Sequence, residues 1–398
     1  MNRDWLPIKT TPWTLGLILL ALLLLIQITA LPQRLDYWLY DRAITASPVR
    51  ASDDVVLVTI DELSLNRLGR WPWPRNLHAE LIAKLTQAGA KMIVLDILFA
   101  EPSSGDDELA EQMRNHGNVI LPVYLSPPTS QYLLSEQLPV SKLASAAAGL
   151  GHAHVELDSD GVARGLYLYN GLGERLWPSL SLAATGKGPQ RAETRNIPPY
   201  VNVRDQYRAV PLIGGAGSLP AYSFAKVLTQ PPSPELFSGK TVFVGATAAG
   251  FGDVLPTPFS GLSRPLPGVE FHANVFSAQA SGLLIRLAPK WASALLALAT
   301  ILVLALALPS MRPARTLLAC ATAVGALAGL YLFMLMALRW WVPLASAMIV
   351  PFLAFPVSSG LRLAMTNRFL NRQLDDLARS PQVALPAPSG RHPTQLLE

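Results

Sequence analysis

The amino-acid sequence predicts an α/β domain outside the cytoplasm, mostly a parallel sheet with an antiparallel hairpin portion, together with four transmembrane α-helices. Charged residues make up 15% of the 398-residue chain and hydrophobic residues 51%, whereas soluble domains carry about 25% charged residues. Four long stretches carry no charge at all. Between the first and second of them, short β-branched runs alternate with segments of helical periodicity, which is typical of an α/β fold.

The four uncharged stretches predict membrane-spanning helices, because about 20 apolar residues cross the hydrocarbon core of a bilayer. The predicted spans cover residues 13–31, 289–308, 316–338 and 340–361, and the second of them is uncharged from Trp291, after Lys290. Tryptophans, which prefer the headgroup layer, stand at their ends: Trp13, Trp291, Trp340 and Trp341. We interpret the first stretch as an uncleaved anchor, since its apolar run exceeds the roughly 7–15 residues usual in a signal peptide.

Orientation follows from lysine and arginine in the short flanks of these stretches. Arg3 and Lys9 precede the first stretch, Arg312 and Arg315 lie between the second and third, and arginines follow the fourth. This pattern predicts a multi-pass inner-membrane protein with both termini in the cytoplasm. Residues 1–12 are the predicted cytoplasmic N-terminus. The predicted periplasmic domain then covers residues 32–288. The interiors of the closing helices contain no Asp, Glu, Lys, Arg or His, which disfavours a transporter or channel.

Within the outer domain, continuous apolar runs predict strands buried on both faces, and amphipathic or capped stretches between them predict helices. Strand, helix, strand, helix, strand implies a parallel sheet with right-handed crossovers. The predicted strands are 55–60, 92–98, 119–123 and 241–245, the predicted helices begin at Pro74 and cover 106–115, 224–228 and 269–280, and a hairpin joins 152–158 to 162–169.

An ordered set of motifs marks this region. They are the residues at 69–75 (GRWPWPR), 96–103 (DILFAEPS) with Asp106, 158–161 (DSDG) with Arg164, 245–247, 252–253, 257–259, and 267–270 (PGVE) with His272 and Asn274. Together they resemble the second class of CHASE domain, the cyclase/histidine-kinase-associated sensory extracellular domain. The resemblance implies a receptor with one helix before the domain and three after it, joined to a cytoplasmic histidine kinase, nucleotide cyclase or similar output.

The segment after the fourth stretch departs from that family pattern, because it is too short for a catalytic module. We therefore expect a non-enzymatic sensor portion whose cytoplasmic output module is absent from this chain. A stand-alone scaffold that binds partner proteins is the alternative. An anchored periplasmic hydrolase is the least favoured reading, because the sequence lacks the Gly-x-Ser-x-Gly and His-Glu-x-x-His patterns.

Residues 362–378 predict a cytoplasmic signalling helix, followed by a proline-rich linker at 379–398. Leu363, Asn367, Leu370, Leu374 and Leu377 follow the 4-3-4-3 spacing of a coiled-coil seam, and Asn is a register-setting residue in such seams. The spacing predicts a homodimer. A basic juxtamembrane helix without a partner is the simpler alternative.

Three carboxylates are candidate ligand-binding residues, because ligands of parallel α/β sheets bind beyond the carboxyl ends of the strands. Asp61 ends the first predicted strand, Asp96 falls late in the second, and Asp253 follows the strand at 241–245. Together they would hold a cation or a polar ligand. The alternative is that Asp61 caps a helix and Asp96 accepts hydrogen bonds from a loop.

Two further groups are candidates. Trp71, Trp73 and Arg75 form either an aromatic wall with a cationic fork for an anionic or cyclic ligand, or a rigid loop whose tryptophans pack into the core or a dimer contact. Glu270 and His272 begin the last helix of the domain, where they either line a site or satisfy the helix N-terminus. The sequence leaves both choices open.

Metal, cofactor and nucleic-acid binding are not predicted. His152, His154, Glu156 and Asp158 alternate along one predicted strand and form a weak zinc candidate, but the pattern fits the solvent face of an antiparallel strand better. The segment 158–161 predicts a turn rather than a calcium loop. Lysine and arginine are scattered along the chain, which disfavours nucleic acid as a partner.

Overall fold

The structure is a computed structural model that describes residues 12–50, 52–126, 134–194, 196–230, 233–261 and 264–379. The chain divides into two compact units. The helical unit contains Met1–Asp36, Pro289–Tyr331 and Pro343–Glu398, and the α/β unit contains Tyr37–Ala288 and Leu332–Val342.

Helices and strands alternate along much of the sequence of the α/β unit. The helices are α1 (Pro12–Gln27), α2 (Leu31–Ala46), α3 (Glu62–Leu68), α4 (Arg75–Gln87), α5 (Asp106–His116), α6 (Ser141–Ala146), α7 (Leu180–Ala183), α8 (Phe224–Thr229), α9 (Pro234–Phe237), α10 (Gly268–Ala280), α11 (Lys290–Ala307), α12 (Pro313–Met336) and α13 (Ala345–Arg379). The strands are β1 (Val55–Ile60), β2 (Met92–Leu95), β3 (Val119–Ser126), β4 (Ser135–Gln137), β5 (Gly149–His152), β6 (Gly165–Leu172), β7 (Arg175–Pro178), β8 (Gln190–Arg191), β9 (Asn202–Ala209), β10 (Ala221–Ser223), β11 (Thr241–Ala246), β12 (Val254–Leu255), β13 (Leu266–Pro267), β14 (Ile285–Leu287) and β15 (Trp340–Trp341).

The larger sheet has the order β10-β1-β11-β2-β3-β4, with β5 also paired to β3. Its ladders are parallel, apart from the antiparallel pair of β3 and β4. The apolar run of β1 is buried along its whole length. Val56, Val58 and Ile60 enter one core cluster, whereas Val55 and Leu57 enter another. Because side chains alternate along a strand, the sheet is covered on both faces.

Helices supply the two cores on either side of this sheet. The first core contains buried side chains of α4, α5 and α8, such as Leu81, Leu109 and Phe224. The second contains Leu180 of α7 and Phe276 of α10. Burying each such side chain contributes roughly 1.5–3 kcal/mol, and the arrangement places the carboxyl ends of β2 and β3 beside the N-terminus of α10.

A second sheet has the order β15-β14-β9-β6-β7-β8. Its longest ladder is the antiparallel pair of β6 and β9. At its edge, β14 pairs in parallel with β15. Only two residues separate β14 from α11, and three separate β15 from α13. The chain therefore runs from this sheet almost directly into the long apolar helices.

Among the described residues, three helical segments are long and apolar enough to cross a membrane: Lys290–Ser310, Pro313–Met336 and Ala345–Asp376. Helices α1 and α2 meet that criterion only as a pair, and they are bent by 78° at the break between them. Leu15, Leu19 and Leu23 of α1 recur at helical spacing and pack in one apolar cluster with residues of α11 and α13.

The mixed α/β class is observed, but several predicted boundaries differ. The first stretch, 13–31, is not one helix, since α1 ends at Gln27. The fourth, 340–361, starts in strand β15, and α13 continues without a break through the predicted signalling helix to Arg379. Trp341 is buried and stacks on Tyr40 with 4.3 Å between ring centroids. Pairing with β14 overrides the apolar composition that predicted a helix there.

The predicted hairpin at 152–158 and 162–169 is also wrong. The turn exists, since Gly161 N donates to Asp158 O at 2.8 Å, but β5 joins β3 in the larger sheet while β6 pairs with β7 and β9 in the other. A single bridge between Glu156 and Gly165 connects the two arms. Pairing between distant strands has replaced the local ladder.

Candidate functional site

A cavity of about 210 Å³ opens beyond the carboxyl ends of β2 and β3 in the α/β unit. Its polar lining comes from four elements: the end of β2, β3, the segment after β5, and the N-terminus of α10 with the loop that leads to it. The polar side chains are Asp96, Tyr124, His154, Asp253 and His272, and Leu125, Val155 and Leu255 supply the apolar wall.

Asp96 lies at the inner part of the cavity, directly after the last residue of β2. Tyr124 Oη donates a hydrogen bond to Asp96 Oδ1 at 2.9 Å. Removal from water raises the pKa of Asp96 to about 6, and the hydrogen bond from Tyr124 opposes that rise. The pKa of the Tyr124 hydroxyl is itself raised, by burial and then by the charge of Asp96, so Tyr124 remains a donor.

Asp253 lies at the solvent-facing side of the cavity, against the first turn of α10. A Cβ atom on Gly268 would come within 2.5 Å of both carboxylate oxygens of Asp253, so any larger residue there would displace this carboxylate. Desolvation, and then the charge of Asp96, raise the pKa of Asp253 to about 6. Among the described residues, no group donates a hydrogen bond to this carboxylate. The cavity therefore holds two acidic groups that interact electrostatically, each with its pKa raised above the ordinary value.

His272 completes the polar lining. Its Nε2 lies 3.2 Å from the carbonyl oxygen of Ala153, to which it donates as the Nε2–H tautomer. Burial lowers the pKa of His272 to about 4, although the charge of Asp253 acts in the other direction. The ring is therefore neutral near pH 7. Its Nδ1 is buried and accepts no hydrogen bond from the described residues, which leaves one lone pair unused.

A second polar cluster surrounds Arg164, which is 1% exposed. Its guanidinium donates to both oxygens of Asp41 on α2, at 2.7 and 2.8 Å. It also donates to Asp158 at 2.9 Å and to Asp160 at 2.9 and 2.7 Å. The ring of Tyr37 lies 4.2 Å from the guanidinium carbon. One cation thus joins three carboxylates and ties α2 to the turn at 158–161.

The electrostatics of this cluster depend on the cation. Burial, together with the charges of Asp160 and Asp41, raises the pKa of Asp158 despite the hydrogen bond and charge of Arg164. Burial also acts to raise the pKa of Asp160, but the hydrogen bonds and charge of Arg164 outweigh it and hold that pKa below its ordinary value. The carboxylates in turn raise the pKa of Arg164 against the effect of burial. Without the guanidinium, three acidic groups would repel one another.

Helix α2 carries a second acidic contact one turn earlier. In the helical unit, Asp36 Oδ1 accepts a hydrogen bond at 2.8 Å from the backbone N–H of Ala345, the first residue of α13. The first N–H groups of a helix have no partner within the helix, so Asp36 acts as a cap supplied from another segment. The same helix therefore holds Arg164 through Asp41 and α13 through Asp36.

Comparison with known families agrees with this architecture. The CHASE2 domain model matches residues 17–307, which is most of the chain. The chain belongs to the CHASE2 family. The resemblance found in the sequence motifs is thereby confirmed, and the α/β unit is the sensory extracellular domain that this family provides to signalling proteins. No curated relative and no solved structure matches the chain.

The CHASE2 domain brings together only some of the predicted site residues. Asp96, Asp253 and His272 share the cavity, whereas Asp61 lies elsewhere as the N-cap of α3. Asp61 Oδ1 accepts hydrogen bonds from Ser64 N at 2.9 Å and from the hydroxyl of Ser223 at 2.9 Å. Two of the three expected carboxylates, those of Asp96 and Asp253, therefore meet at the cavity, and Asp61 does not join them.

The loop that carries Trp71, Trp73 and Arg75 packs into the domain instead of forming an open wall. Trp73 is 3% exposed in the core, and its Nε1 donates to Gly69 O. Arg75 Nε donates to Asp106 Oδ1 at 3.0 Å, with the guanidinium over the ring of Phe99. These contacts use the cationic fork to join α4 to α5.

Glu270 has a structural partner as well. Its carboxylate accepts hydrogen bonds from Gly217 N and Ser218 N at 2.9–3.0 Å, and Asn274 Oδ1 accepts from Ile213 N at 2.9 Å. Glu270 and Asn274 lie one turn apart on α10, as their spacing predicted. They fasten the 213–219 loop to this helix.

The alternating strand predicted for His152 to Asp158 is wrong, since β5 ends at His152. His152 is fully buried with its Nε2 3.0 Å from Tyr167 O, and Leu157 is half exposed. His154 lies 3.7 Å from Glu156, which pairs with Arg204. Across the described ranges, no group of three or more His, Cys, Asp or Glu side chains is arranged to hold a metal ion.

Sequence reasoning missed Asp41 and Asp36. The family motif contained Asp158, Asp160 and Arg164, but Asp41 lies 123 positions before Arg164 and Asp36 lies 309 positions before Ala345. Acidic residues on a short polar helix have no local signature of such partners.

Proposed function

We propose that this protein is the input portion of a transmembrane receptor. Its CHASE2 domain would detect a stimulus outside the cytoplasm, and its helices would pass the response to a cytoplasmic output module, such as a histidine kinase or nucleotide cyclase. We place it in a cell inner membrane with both termini inside. One observation carries this proposal: the CHASE2 match over residues 17–307 lies in a chain whose described residues include three helices long and apolar enough to cross a membrane.

The proposed signal path runs from the cavity through α2 to α13, and its first step joins the cavity to Arg164. Asp253 and Leu255 line the cavity, and in the same loop Pro256 O accepts a hydrogen bond from Ala163 N at 2.7 Å. Ala163 immediately precedes Arg164. A ligand that repositions Asp253 therefore pulls on a backbone segment only one residue from the guanidinium.

The second step passes along α2. Arg164 holds Asp41 bidentately, and a bidentate pair fixes orientation as well as distance. Asp36, on the same helix, caps the N-terminus of α13. Two stimulus-dependent arrangements of α2 would give α13 two positions, and a ligand that prefers one of them shifts the population.

The third step is α13 itself, which extends from Ala345 to Arg379 as one helix. It contains the fourth apolar span and continues beyond it into the predicted cytoplasmic segment. Pro351 and Pro356 lie inside it, and each removes one backbone hydrogen bond, which makes that part of the helix easier to bend. A change at the N-terminus of α13 would thus displace the last turns of this helix in the cytoplasm.

Pairing of two copies through those last turns is part of the proposal. Leu363, Leu370 and Leu374 expose more than half of their side chains on α13, with Asn367 between them at seam spacing. The side chain of Leu377 lies outside the described residues. A seam of leucines with one asparagine suits a two-stranded coiled coil, in which asparagine pairs with asparagine of the second copy.

A fusion tests the receptor function. The catalytic domain of an adenylate cyclase is joined after residue 398 of the full chain, and cyclic AMP formation is measured in membrane vesicles at matched protein abundance. Asp41→Asn breaks the bidentate contact, so we expect the basal rate to change at least about fivefold. Asp107→Asn, which neutralises an exposed carboxylate paired with Lys142 on the surface, is the control.

Equal rates from wild type, Asp41→Asn and Asp36→Asn would contradict the proposed path. If the rates were equal and the chain also co-purified with a stable membrane partner, the scaffold alternative would take its place. Activity of the unfused chain on a substrate of its own, lost with one nucleophile, would support the hydrolase alternative.

A further inference from the structure

The cavity of the CHASE2 domain has a surplus of acceptors and negative charge. Its titratable lining groups are Asp96, Asp253, Tyr124, His154 and His272, and among the described residues no lysine or arginine lines it. Burial lowers the pKa values of His154 and His272, so both imidazoles are neutral near pH 7. Two carboxylates consequently face the cavity without a cation.

The arrangement keeps these carboxylates together by construction. Glycine at position 268 makes room for the carboxylate of Asp253. On the other side, a Cβ on Gly245 would lie 3.2 Å from the Cβ of Asp96. Holding like charges close costs free energy. Tyr124 offsets part of it by its hydrogen bond to Asp96, but among the described residues no lysine or arginine lines the cavity to balance the charge. Such a cost is recovered when a cationic ligand binds.

His272 supplies an independent indication of a ligand. The residue is 1% exposed, it lines the cavity, and its Nδ1 lone pair has no donor within the described residues. A buried acceptor without a partner costs about 1–3 kcal/mol. The acceptor is neutral, so it calls for an N–H or O–H donor.

We propose that the cavity binds a small organic molecule through a protonated amine. The ammonium group donates its hydrogens to Asp96, Asp253 and the Nδ1 of His272, and its hydrocarbon part packs against Leu125, Val155 and Leu255. An ammonium has three donors and no acceptor, which matches a lining that offers two carboxyl groups and one imidazole nitrogen without a donor. Apolar walls with a few convergent polar groups are usual for small-molecule sites.

A metal ion fits less well. Calcium takes six to eight oxygen ligands, and transition metals favour close groups of imidazole and carboxylate. In the part of the chain that the structure describes, no three such side chains are arranged to hold a metal ion, whose bonds to its ligands are shorter than the hydrogen bonds of an ammonium. The apolar wall would also have no role around a hydrated cation. Selective binding of magnesium would therefore contradict the proposal, and the experiment includes it.

The test uses the full chain in lipid nanodiscs and isothermal calorimetry at about pH 7.5. The probes are benzylammonium and n-butylammonium chloride. Three compounds serve as controls: benzyl alcohol tests the need for charge, tetramethylammonium tests the need for N–H donors, and magnesium chloride tests binding of a metal ion. We expect saturable binding of the two primary ammonium ions alone. Asp96→Asn and Asp253→Asn should each weaken it roughly ten- to a hundredfold, since each removes a charged hydrogen bond. Asp107→Asn should bind as the wild type does.

A second measurement on the wild type keeps the inference falsifiable if a variant does not fold. Because the carboxylates have pKa values of about 6, lowering the pH to about 5 protonates them, and ammonium binding should weaken about tenfold or more. Absence of ammonium binding to a folded chain, equal binding of tetramethylammonium, or selective binding of magnesium would each overturn the proposal.

The inference rests on the proposed receptor function only in taking the amine as the stimulus. The two fail separately: calorimetry without binding removes the amine but leaves the cyclase response to Asp41→Asn intact. Binding without any change of cyclase rate in the fusion would leave an amine-binding domain and remove the receptor path.

Discussion

Replacing Arg164 by methionine removes a buried cation while keeping much of the side-chain volume. Five hydrogen bonds to three carboxylates are lost. Removing one partner of a buried ion pair costs about 3–5 kcal/mol. The carboxylates of Asp41, Asp158 and Asp160 keep 27%, 15% and 35% of their surface exposed, so water solvates them in part. We therefore expect the lower end, about 3 kcal/mol.

This loss is measurable as thermal unfolding of the full chain in detergent micelles, followed by circular dichroism. One kcal/mol corresponds to roughly 2–4 °C for a domain of this size, so the midpoint should fall by roughly 6–12 °C. Hydrogen exchange of the amides in α2 should rise with it, because Arg164 anchors that helix through Asp41. The deficit should shrink as the pH falls towards about 4, since protonated carboxylates no longer repel one another.

Arg204→Met is the matched control. Arg204 also pairs with a carboxylate, that of Glu156 at 2.6 Å, but its side chain is 38% exposed. Exposed pairs contribute about 0–1 kcal/mol, so this variant should unfold within a few degrees of the wild type. If Arg164→Met unfolded no earlier than Arg204→Met, or if α2 exchanged at the wild-type rate, the reasoning about the buried cluster would be refuted.

Three further predictions concern titration and assembly. Asp96→Asn should stabilise the chain by about 1–2 kcal/mol at about pH 7.5 and by less at pH 5, in thermal scans at both. The sign follows from its folded pKa of about 6, above the ordinary 3.8, which makes the ionised form unfavourable in the fold until protonation relieves it. His78, whose two ring nitrogens lack partners in the described part of the chain, has its pKa lowered to about 3 by burial and then by Arg75. Below about pH 6.5 the unfolded chain protonates this histidine but the folded chain does not, so the wild type loses stability as the pH falls. In thermal scans, His78→Leu should therefore gain about 2 kcal/mol relative to wild type between about pH 7 and pH 5, and a constant difference between the two would refute this prediction. Leu370→Asp should convert a dimer to monomer in mass photometry of nanodisc-embedded chain, while Arg372→Asp beside it should not; a dimer that survives Leu370→Asp excludes the leucine seam.

Much of the fold follows from short-range sequence signals. The run VVLVTI predicted β1 with its observed limits, and Thr241 began β11 as expected. Both strands are buried on two faces, so their composition had to be continuously apolar and β-branched. Helix α5 begins at Asp106, where three acidic residues favour an N-terminus. These elements depend on their own residues and on burial, which the sequence records locally.

The candidate site was only partly predictable. The rule that ligands lie beyond the carboxyl ends of parallel strands pointed to Asp96 and Asp253. The same rule also pointed to Asp61, but the Asp61 carboxylate instead caps α3 by accepting a hydrogen bond from Ser64 N. Whether a polar residue at a strand end faces a cavity or caps the next helix depends on a few ångströms in the loop, and both outcomes have the same local sequence.

The contacts that would connect site and membrane were decided by the tertiary structure alone. Arg164 meets Asp41 across 123 positions, β14 meets β15 across the two intervening apolar helices, and Asp36 caps α13. Periodicity and hydropathy record the environment of a residue but not which distant segment provides it. The sequence by itself therefore determined the α/β class, the apolar helices and the family, whereas strand order and buried charge pairing required the folded chain, because they depend on which surfaces the packing brings together.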